Sequence, residues 1–580
     1  MRWQVFLRAM LVSLAGLAAC GARAAADLAT HLRRPTALVT AEDDTILYVA
    51  NRASGSIATI DVAAGEVVAE TDVGRSLVDL AISPDEQFLL ALDEAAGELL
   101  VLTREADGPQ VASRVAVAAA PQSVRLSPDG RRAFVASHWG RAVTVVDLAD
   151  FAHPKTVAAI SLPFNARCQC LVDDGGRLVV ADACGGSLAV IDVASLRIVS
   201  VREMVGHNIR GLALSSDGRT LLVAHQILNS HTETLQRNVF WGAVLTNVVR
   251  AVPIDAVTTA ATEPLPVAGT QTIGGLGAGA GDPAGIISTT AGDTIVALSG
   301  VHEVALRRAG QFGWQRERVG RRPTALTLSS DGSRAFVANT FGDSVSIVDV
   351  EDFRVERTIS LGPRPALTSA ERGEHLFYDA RLSFDGWYSC HSCHTDGHTN
   401  GLTSDNFGDG SAGAPKRVLS LFGAAETGPW AWNGHVAQLN EQIHSSLERT
   451  MRSPKASAET VAALGAFVRT LPAPPRPKLS EADAALADRG ALVFDTAGCA
   501  ACHQPPTYTS AGSYEVGMTD ELGHDRFNPP SLRGVRFRSA LFHDNRAASL
   551  DDVLRRFRHG QNSALSDEEL AALLAFLRSL

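Results

Sequence analysis

Aromatic residues make up only 6% of this 580-residue chain and charged residues 20%, against 46% in the hydrophobic set. That balance excludes a disordered chain or a long coiled coil, both of which are rich in charge. Basic clusters are missing too. Lys and Arg number 52 against 63 Asp and Glu, a net charge of −11, so the chain lacks the electrostatic footprint of a nucleic-acid binder. Beyond the N-terminal end, no stretch of ~20 apolar residues is free of charge, as a bilayer-crossing helix would need. At ~100–200 residues per domain, the length predicts two or three cores.

Arg2 and Arg8 stand ahead of an apolar run from Ala9 to Ala19 and then small residues, the layout of a secretory signal over 1–25. Two processing sites are open. Leu17-Ala18-Ala19-Cys20 resembles a bacterial lipobox, which would acylate Cys20 and tether the protein to a membrane face. Ala22-Arg23-Ala24 offers ordinary cleavage, which would leave it free in the periplasm or secreted. Export exposes thiols to an oxidising compartment, so two of Cys168, Cys170 and Cys184 are expected to form a disulfide, with the pairing open.

Residues 34–362 repeat with a period near 43. The turn acids Asp43, Asp85, Asp129, Asp174 and Asp217 are 42, 44, 45 and 43 apart, a weaker copy surrounds Asp293, and Asp331 closes the series. Third strands recur as IATIDV (57–62), VTVVDL (143–148), LAVIDV (188–193) and VSIVDV (345–350). Seven units of four short strands predict a seven-bladed β-propeller. LYVAN (47–51), AFVAS (133–137) and AFVAN (335–339) resemble the YVTN family of propellers, which speaks for fold and not for chemistry. An insertion in blade five, about 227–285, is expected to pack on the C-terminal part or cover an entry channel.

After Gly362 the strand pattern stops, and CHSCH (390–394) and CAACH (499–503) follow. Thiols at i and i+3 can each add to a vinyl group of one porphyrin, and the adjacent histidine reaches its iron. Cys390, Cys393 and His394, then Cys499, Cys502 and His503, are therefore expected to bind two covalent haem c groups. The surroundings are duplicated as well. From His394 to Leu471 and from His503 to Leu580 is 77 residues in each case, ending in ETVAALGAFVRTL and EELAALLAFLRSL. Both endings carry apolar residues at i, i+3, i+4 and i+7, as a packed helix requires. The expected architecture is thus an all-β propeller followed by a mostly helical pair of cytochrome c domains, 365–471 and 479–580, with a stiff Pro-rich linker at 471–478 between them.

FYDARLSFDGWYSCHSCH (377–394), the WNG corner (432–434) and FNPPSLRGVRFRSALFHDNRAASL (527–550) resemble the di-haem cytochrome c peroxidase family. The resemblance implies a peroxidatic first haem, a high-potential second haem as relay, Trp432 between them and Gln442 in the peroxide pocket. It also implies a calcium ion between the haems, near Asn528 and Pro530. Two departures stand out. The loop where relatives carry a histidine capping the first iron reads DNFGDGSAG, leaving His398 as the nearest alternative. The catalytic glutamate's place falls near Arg452, which points to Glu448 one helical turn earlier. At the second haem the usual Met or Tyr ligand position is Phe557, so His559 is the expected iron ligand, with Met518 behind it. His391, between the two first-motif cysteines, is expected to face solvent.

The function expected from this pattern is an exported oxidoreductase, an enzyme of the cytochrome c peroxidase type. Hydrogen peroxide would be its substrate and a small redox protein, cytochrome or cupredoxin, its electron donor or acceptor. Two alternatives stand beside it: a di-haem oxidase acting on an organic or protein substrate docked on the propeller, and a purely electron-transferring protein.

Overall fold

A computed structural model describes residues 28–407, 410–561 and 563–580. The expected signal segment and Cys20 lie outside the described residues. Seven four-stranded antiparallel sheets, each of four strands consecutive in sequence, occupy residues 35–360 as the blades of a propeller. In blade one the middle strands Ile46–Asn51 and Ser56–Asp61 are buried almost throughout, because neighbouring blades cover both of their faces. The outer strands Glu66–Asp72 and Arg354–Ser360 carry charge, which protects an exposed sheet edge.

The recurring acids close tight turns. Ser83, Ser127, Ser215 and Ser329 hydroxyls donate to Asp85, Asp129, Asp217 and Asp331 at 2.6–2.7 Å, and each acid also accepts the backbone N–H two residues on. The ring closes without a shared sheet. Leu47, Val49 and Ile60 of blade one pack on Phe336, Ala338 and Val345 of blade seven, and the Thr340 hydroxyl donates to the Pro35 carbonyl at 2.7 Å.

Two expectations for the propeller need correction. The apolar run of the blade-five insertion is in part structural, since Leu245–Pro253 is that blade's third strand and Thr270–Thr272 its fourth. Two parts of the insertion pack on the first cytochrome half as expected: before Leu245, Val239 and Val244 join its core with Phe377, Trp387, Tyr388 and Leu447, and the Gly-rich stretch after Thr272 reaches residues 385–386. Cys168, Cys170 and Cys184 are all free thiols. Cys168 and Cys170 lie on one strand, Ala166–Val172, against the apolar core of blade four, and burial pushes the Cys168 thiol up to about 11.

Each cytochrome half is organised by a pair of crossing helices, α1 (Ser369–Phe377) with α2 (Ala458–Val468), and α3 (Glu481–Thr496) with α4 (Asp567–Ser579). The crossing points repeat. A β-carbon on Gly373 would overlap the Ala463 carbonyl, and one on Gly490 the Ala572 carbonyl. One turn further on, Phe377 meets Phe467 at 5.2 Å and Phe494 meets Phe576 at 5.3 Å. The equal 77-residue spacings thus encode one fold used twice.

Candidate active site

Ser389 caps the short helix Cys390–Cys393 through a capping box with Ser392, which sets both thiols on one turn. Burial pushes each thiol up to about 12. The His394 Nδ1–H donates to the Leu419 carbonyl at 2.8 Å, fixing the ring and leaving Nε2 free as a ligand. Burial lowers His394 to about 4, so the imidazole is neutral, as metal ligation requires. These three residues open on a cavity of about 290 Å³ whose lining runs from Phe377 to Arg538.

The cavity's polar lining fits a haem. Arg417 is buried, its Nε and Nη2 lack partners, and burial with Arg538 nearby drives it down to about 9. Among the described residues, Arg538 donates to the carbonyls of Ser531 and Arg533 and to no carboxylate. No carboxylate is among the described lining residues, so two guanidinium groups await anions, as the propionates of a haem would provide. Gln442 Oε1 is also buried and unpartnered on this lining, and its amide nitrogen reaches Ser446 Oγ at 3.4 Å.

The second motif repeats the histidine geometry in a more open setting. The His503 Nδ1–H donates to the Tyr508 carbonyl at 3.1 Å, and burial lowers the imidazole to about 4. Cys502 is partly exposed and Ala501 exposed. His559 lies near enough for its charge to act on His503, with its ring 5.3 Å from Phe542. Phe557 packs into the apolar core of this half beside Cys499 and Phe542. Met518 stands outside that core, in the loop following Tyr514–Glu515.

Trp432 lines the first cavity and faces the second half. Its Nε1–H donates to the Arg417 carbonyl at 2.8 Å, its own carbonyl accepts the Asn528 N–H at 2.7 Å, and its ring lies 6.3 Å from His543. Other expected positions are corrected. The Glu448 side chain is 65% exposed, beside His444 on the outer face, and does not line the cavity. Residues 442, 446 and 450 hold the inner face, and Arg452, the position from which Glu448 was reckoned, lies beyond the helix cap at Met451 with a left-handed φ of 51°, so the i, i+4 equivalence does not reach it. Arg452 turns away to donate to the Thr234 carbonyl of the blade-five segment at 2.6 Å.

His398 does not cap the cavity; its Nδ1 meets Ser420 Oγ at 2.9 Å and its ring lies against Trp139 of the propeller. Among the described residues, no cluster of three or more acidic, His or Cys side chains gathers in the expected calcium region. The Asn528 amide nitrogen donates to the Ser510 and Gly512 carbonyls, and the Lys416 ammonium stands 3.1 Å from Asp520.

The residues that sequence reasoning missed belong to the propeller. Ser389 and Ser392 hydroxyls each donate to the Asp282 carboxylate at 2.5 Å, and Gln226 Nε2 adds a third bond at 3.2 Å. The His207 Nε2–H donates to the Ser392 carbonyl at 3.0 Å, and Asn247 to the Trp387 carbonyl at 2.8 Å. His391 is buried here, and not solvent-facing, with Arg210 Nη2 3.0 Å from its Nε2 and the Asp396 N–H donating to its Nδ1. The Gly-rich stretch before Asp282 has a physical role at this contact. Gly279 and Gly281 donate backbone hydrogen bonds to the Asp385 and Gly386 carbonyls, an approach that a β-carbon on either residue would block.

The family model "Di-haem cytochrome c peroxidase" matches residues 368–469, and the model "Cytochrome c" matches 487–580. The C-terminal part of this chain thus carries a di-haem cytochrome c peroxidase domain followed by a cytochrome c domain. Among its relatives, "Methylamine utilization protein MauG" of Methylorubrum extorquens is 28% identical over 271 residues, covering 36% of this chain and 76% of that protein. "Cytochrome c551 peroxidase" of Nitrosomonas europaea is 26% identical over 268 residues, covering 36% and 79%. "Hydrazine synthase subunit gamma" of Kuenenia stuttgartiensis is 27% identical over 271 residues, covering 36% and 76%. The chain is thus an oxidoreductase in which a peroxidase-type di-haem module is joined to a seven-bladed propeller.

Proposed function

We propose that this protein is an exported peroxidase that reduces hydrogen peroxide at the site of His394, with electrons passing singly through the site of His503. One observation carries the reading. The first cavity offers one imidazole and one unpartnered amide oxygen, with no second histidine among its described lining residues, so the position opposite His394 is left for a small ligand. Haem c, when bound, supplies the iron that exchanges electrons with peroxide.

The chain's own residues supply the rest. Cys390 and Cys393 anchor the first group and Cys499 and Cys502 the second, with His394 and His503 as ligands to the irons. His559 completes the second site. Arg417 and Arg538 take the propionates of the first group. Gln442 accepts a hydrogen bond from a peroxide O–H and orients it. An amide cannot carry a proton onward, so Gln442 positions while solvent supplies protons. Trp432, fixed at both ends by backbone bonds, spans the junction between the halves. The partly exposed second motif suits docking of a small cytochrome or cupredoxin donor.

The rival in which a substrate docks on the propeller is disfavoured where the propeller meets the first site, because Arg210 and Arg322 there are already taken up by Asp396, His391 and Tyr378. A purely electron-transferring protein would need a second ligand facing His394. The one thioether among the described lining residues, Met451, rests its sulfur 3.9 Å from Cys390 Sγ. Consumption of hydrogen peroxide with a reduced donor tests the reading. The wild type is expected to turn over and His394→Ala and Cys499→Ala to lose that turnover; full activity in both variants overturns the assignment.

A further inference from the structure

We propose that Asp282, a propeller residue, is a positioning residue for the first haem that fixes its attachment turn and biases its iron toward the oxidised state. The carboxylate is buried, at 4% exposure. Its hydrogen-bond partners are neutral: the hydroxyls of Ser389 and Ser392 at 2.5 Å and the amide of Gln226 at 3.2 Å, while the guanidinium groups of Arg322 and Arg210 act on it through space and oppose the cost of burial. Those two serines stand immediately before Cys390 and Cys393, so one carboxylate holds both ends of the attachment helix. Hydrogen bonds from neutral donors stabilise the anion without cancelling its charge. A fixed negative charge in a poorly polarisable interior favours the more positive of two iron states.

The second motif has no counterpart. Gly498 and Ala501 replace the two serines before its cysteines, and Cys502 is partly exposed, so solvent screens charge there. The bias therefore acts on one haem and separates the two potentials. The grip also gives the propeller a part in the redox module, since the charge comes from a blade while the haem belongs to the cytochrome half. The inference rests on haem attachment at Cys390, Cys393 and His394 and does not depend on peroxide being the substrate.

Spectroelectrochemical titration of the full-length holoprotein tests it, with the second haem as internal control. In Asp282→Asn and Asp282→Ser the reduced-to-oxidised ratio of the first haem at a fixed potential is expected to rise about tenfold, ~59 mV for one electron. The second haem is expected to stay unchanged, and Asp282→Glu to remain near wild type. Loss of the first haem alone in the neutral variants, restored by Glu, also supports the positioning role. A first-haem ratio that moves less than about twofold, or a shift of both haems together, overturns the proposal. Loss of both haems in all three variants overturns it as well, because the residue would then serve only the propeller fold. None of these readouts uses peroxide turnover, so a failure of the peroxidase reading leaves the measurement intact.

Discussion

The Asp396 carboxylate lies 2.8 Å from Arg210 Nη2, joining the segment two residues beyond His394 to the inner strand of propeller blade five. Arg167 reaches the same carboxylate at 3.3 Å, and Arg322 stacks over Tyr378, whose hydroxyl donates to Asp396. Asp282 points from the propeller into the attachment turn, and Asp396 points from the cytochrome half into the propeller. The contact is thus polar in both directions, and each carboxylate is matched by donors of the other domain.

Arg210→Ala is expected to weaken that contact. Arg210 is nearly buried, and removing one partner of a buried pair leaves the other uncompensated, a loss of about 3 kcal/mol that the partial exposure of Asp396 reduces. Burial alone would raise the Asp396 carboxyl, but Arg210 and Arg167 overcome it and hold the group well below the usual carboxylate range. A lowered folded-state value means stability that is present above the unfolded value, ~3.9, and is lost as pH falls through the folded one. Thermal melts of the holoprotein should therefore decline in acid, and Asp396→Asn should flatten that decline while lowering the neutral-pH midpoint.

Gln442 and Glu448 separate the inner face of their helix from the outer one. Gln442→Leu removes the only unpartnered amide oxygen among the described lining residues and is expected to lower peroxide turnover about 100-fold, the scale of losing one positioned polar group. Glu448→Gln should leave steady-state turnover unchanged. Equal losses in the two variants would contradict this division.

The same pair of residues marks how far the sequence could be read. Period and turn chemistry located the blades, because each repeat buries the same strands, and the two C-x-x-C-H motifs with their 77-residue spacings located both cytochrome halves. Glu448 went astray because Arg452, the position it was reckoned from, stands past the helix cap at Met451 with a left-handed φ, and single-sequence periodicity does not mark where the helix stops. Asp282, His207 and Arg210 carried no local signal. Each lies in or beside an ordinary blade strand more than 100 residues before the motif it grips, and only the ring closure of the propeller brings them there. The Gly-rich stretch at 274–281 was visible as composition, while its purpose, close backbone contact with residues 385–386, emerges only in three dimensions.

His559→Ala is expected to open the second site. His503 and His559 sit close enough to influence each other, and Phe557 has no atom that can bind iron. Low-temperature electron paramagnetic resonance of the ferric protein should show one low-spin signal of the two-imidazole type in the wild type, replaced in the variant by a high-spin signal. Met518→Leu should leave the spectrum as it was. A wild-type pattern that survives His559→Ala would remove this residue from the ligand set.

Gly490→Ala tests the duplicated helix crossing. By propensity alone the change favours α3 by about 1 kcal/mol, since glycine is the poorer helix former. The added carbon meets the Ala572 carbonyl backbone, which cannot swing aside as a flexible side chain would, and Phe576 lies next to it. Overpacking against a rigid neighbour costs about 1–3 kcal/mol, so the net effect is expected to be destabilising. Because α3 and α4 carry only the second half, the loss should appear as earlier unfolding of the second haem signal, with the first haem and the propeller melting as before. The equivalent Gly373→Ala should reverse that order, placing the early loss at the first haem.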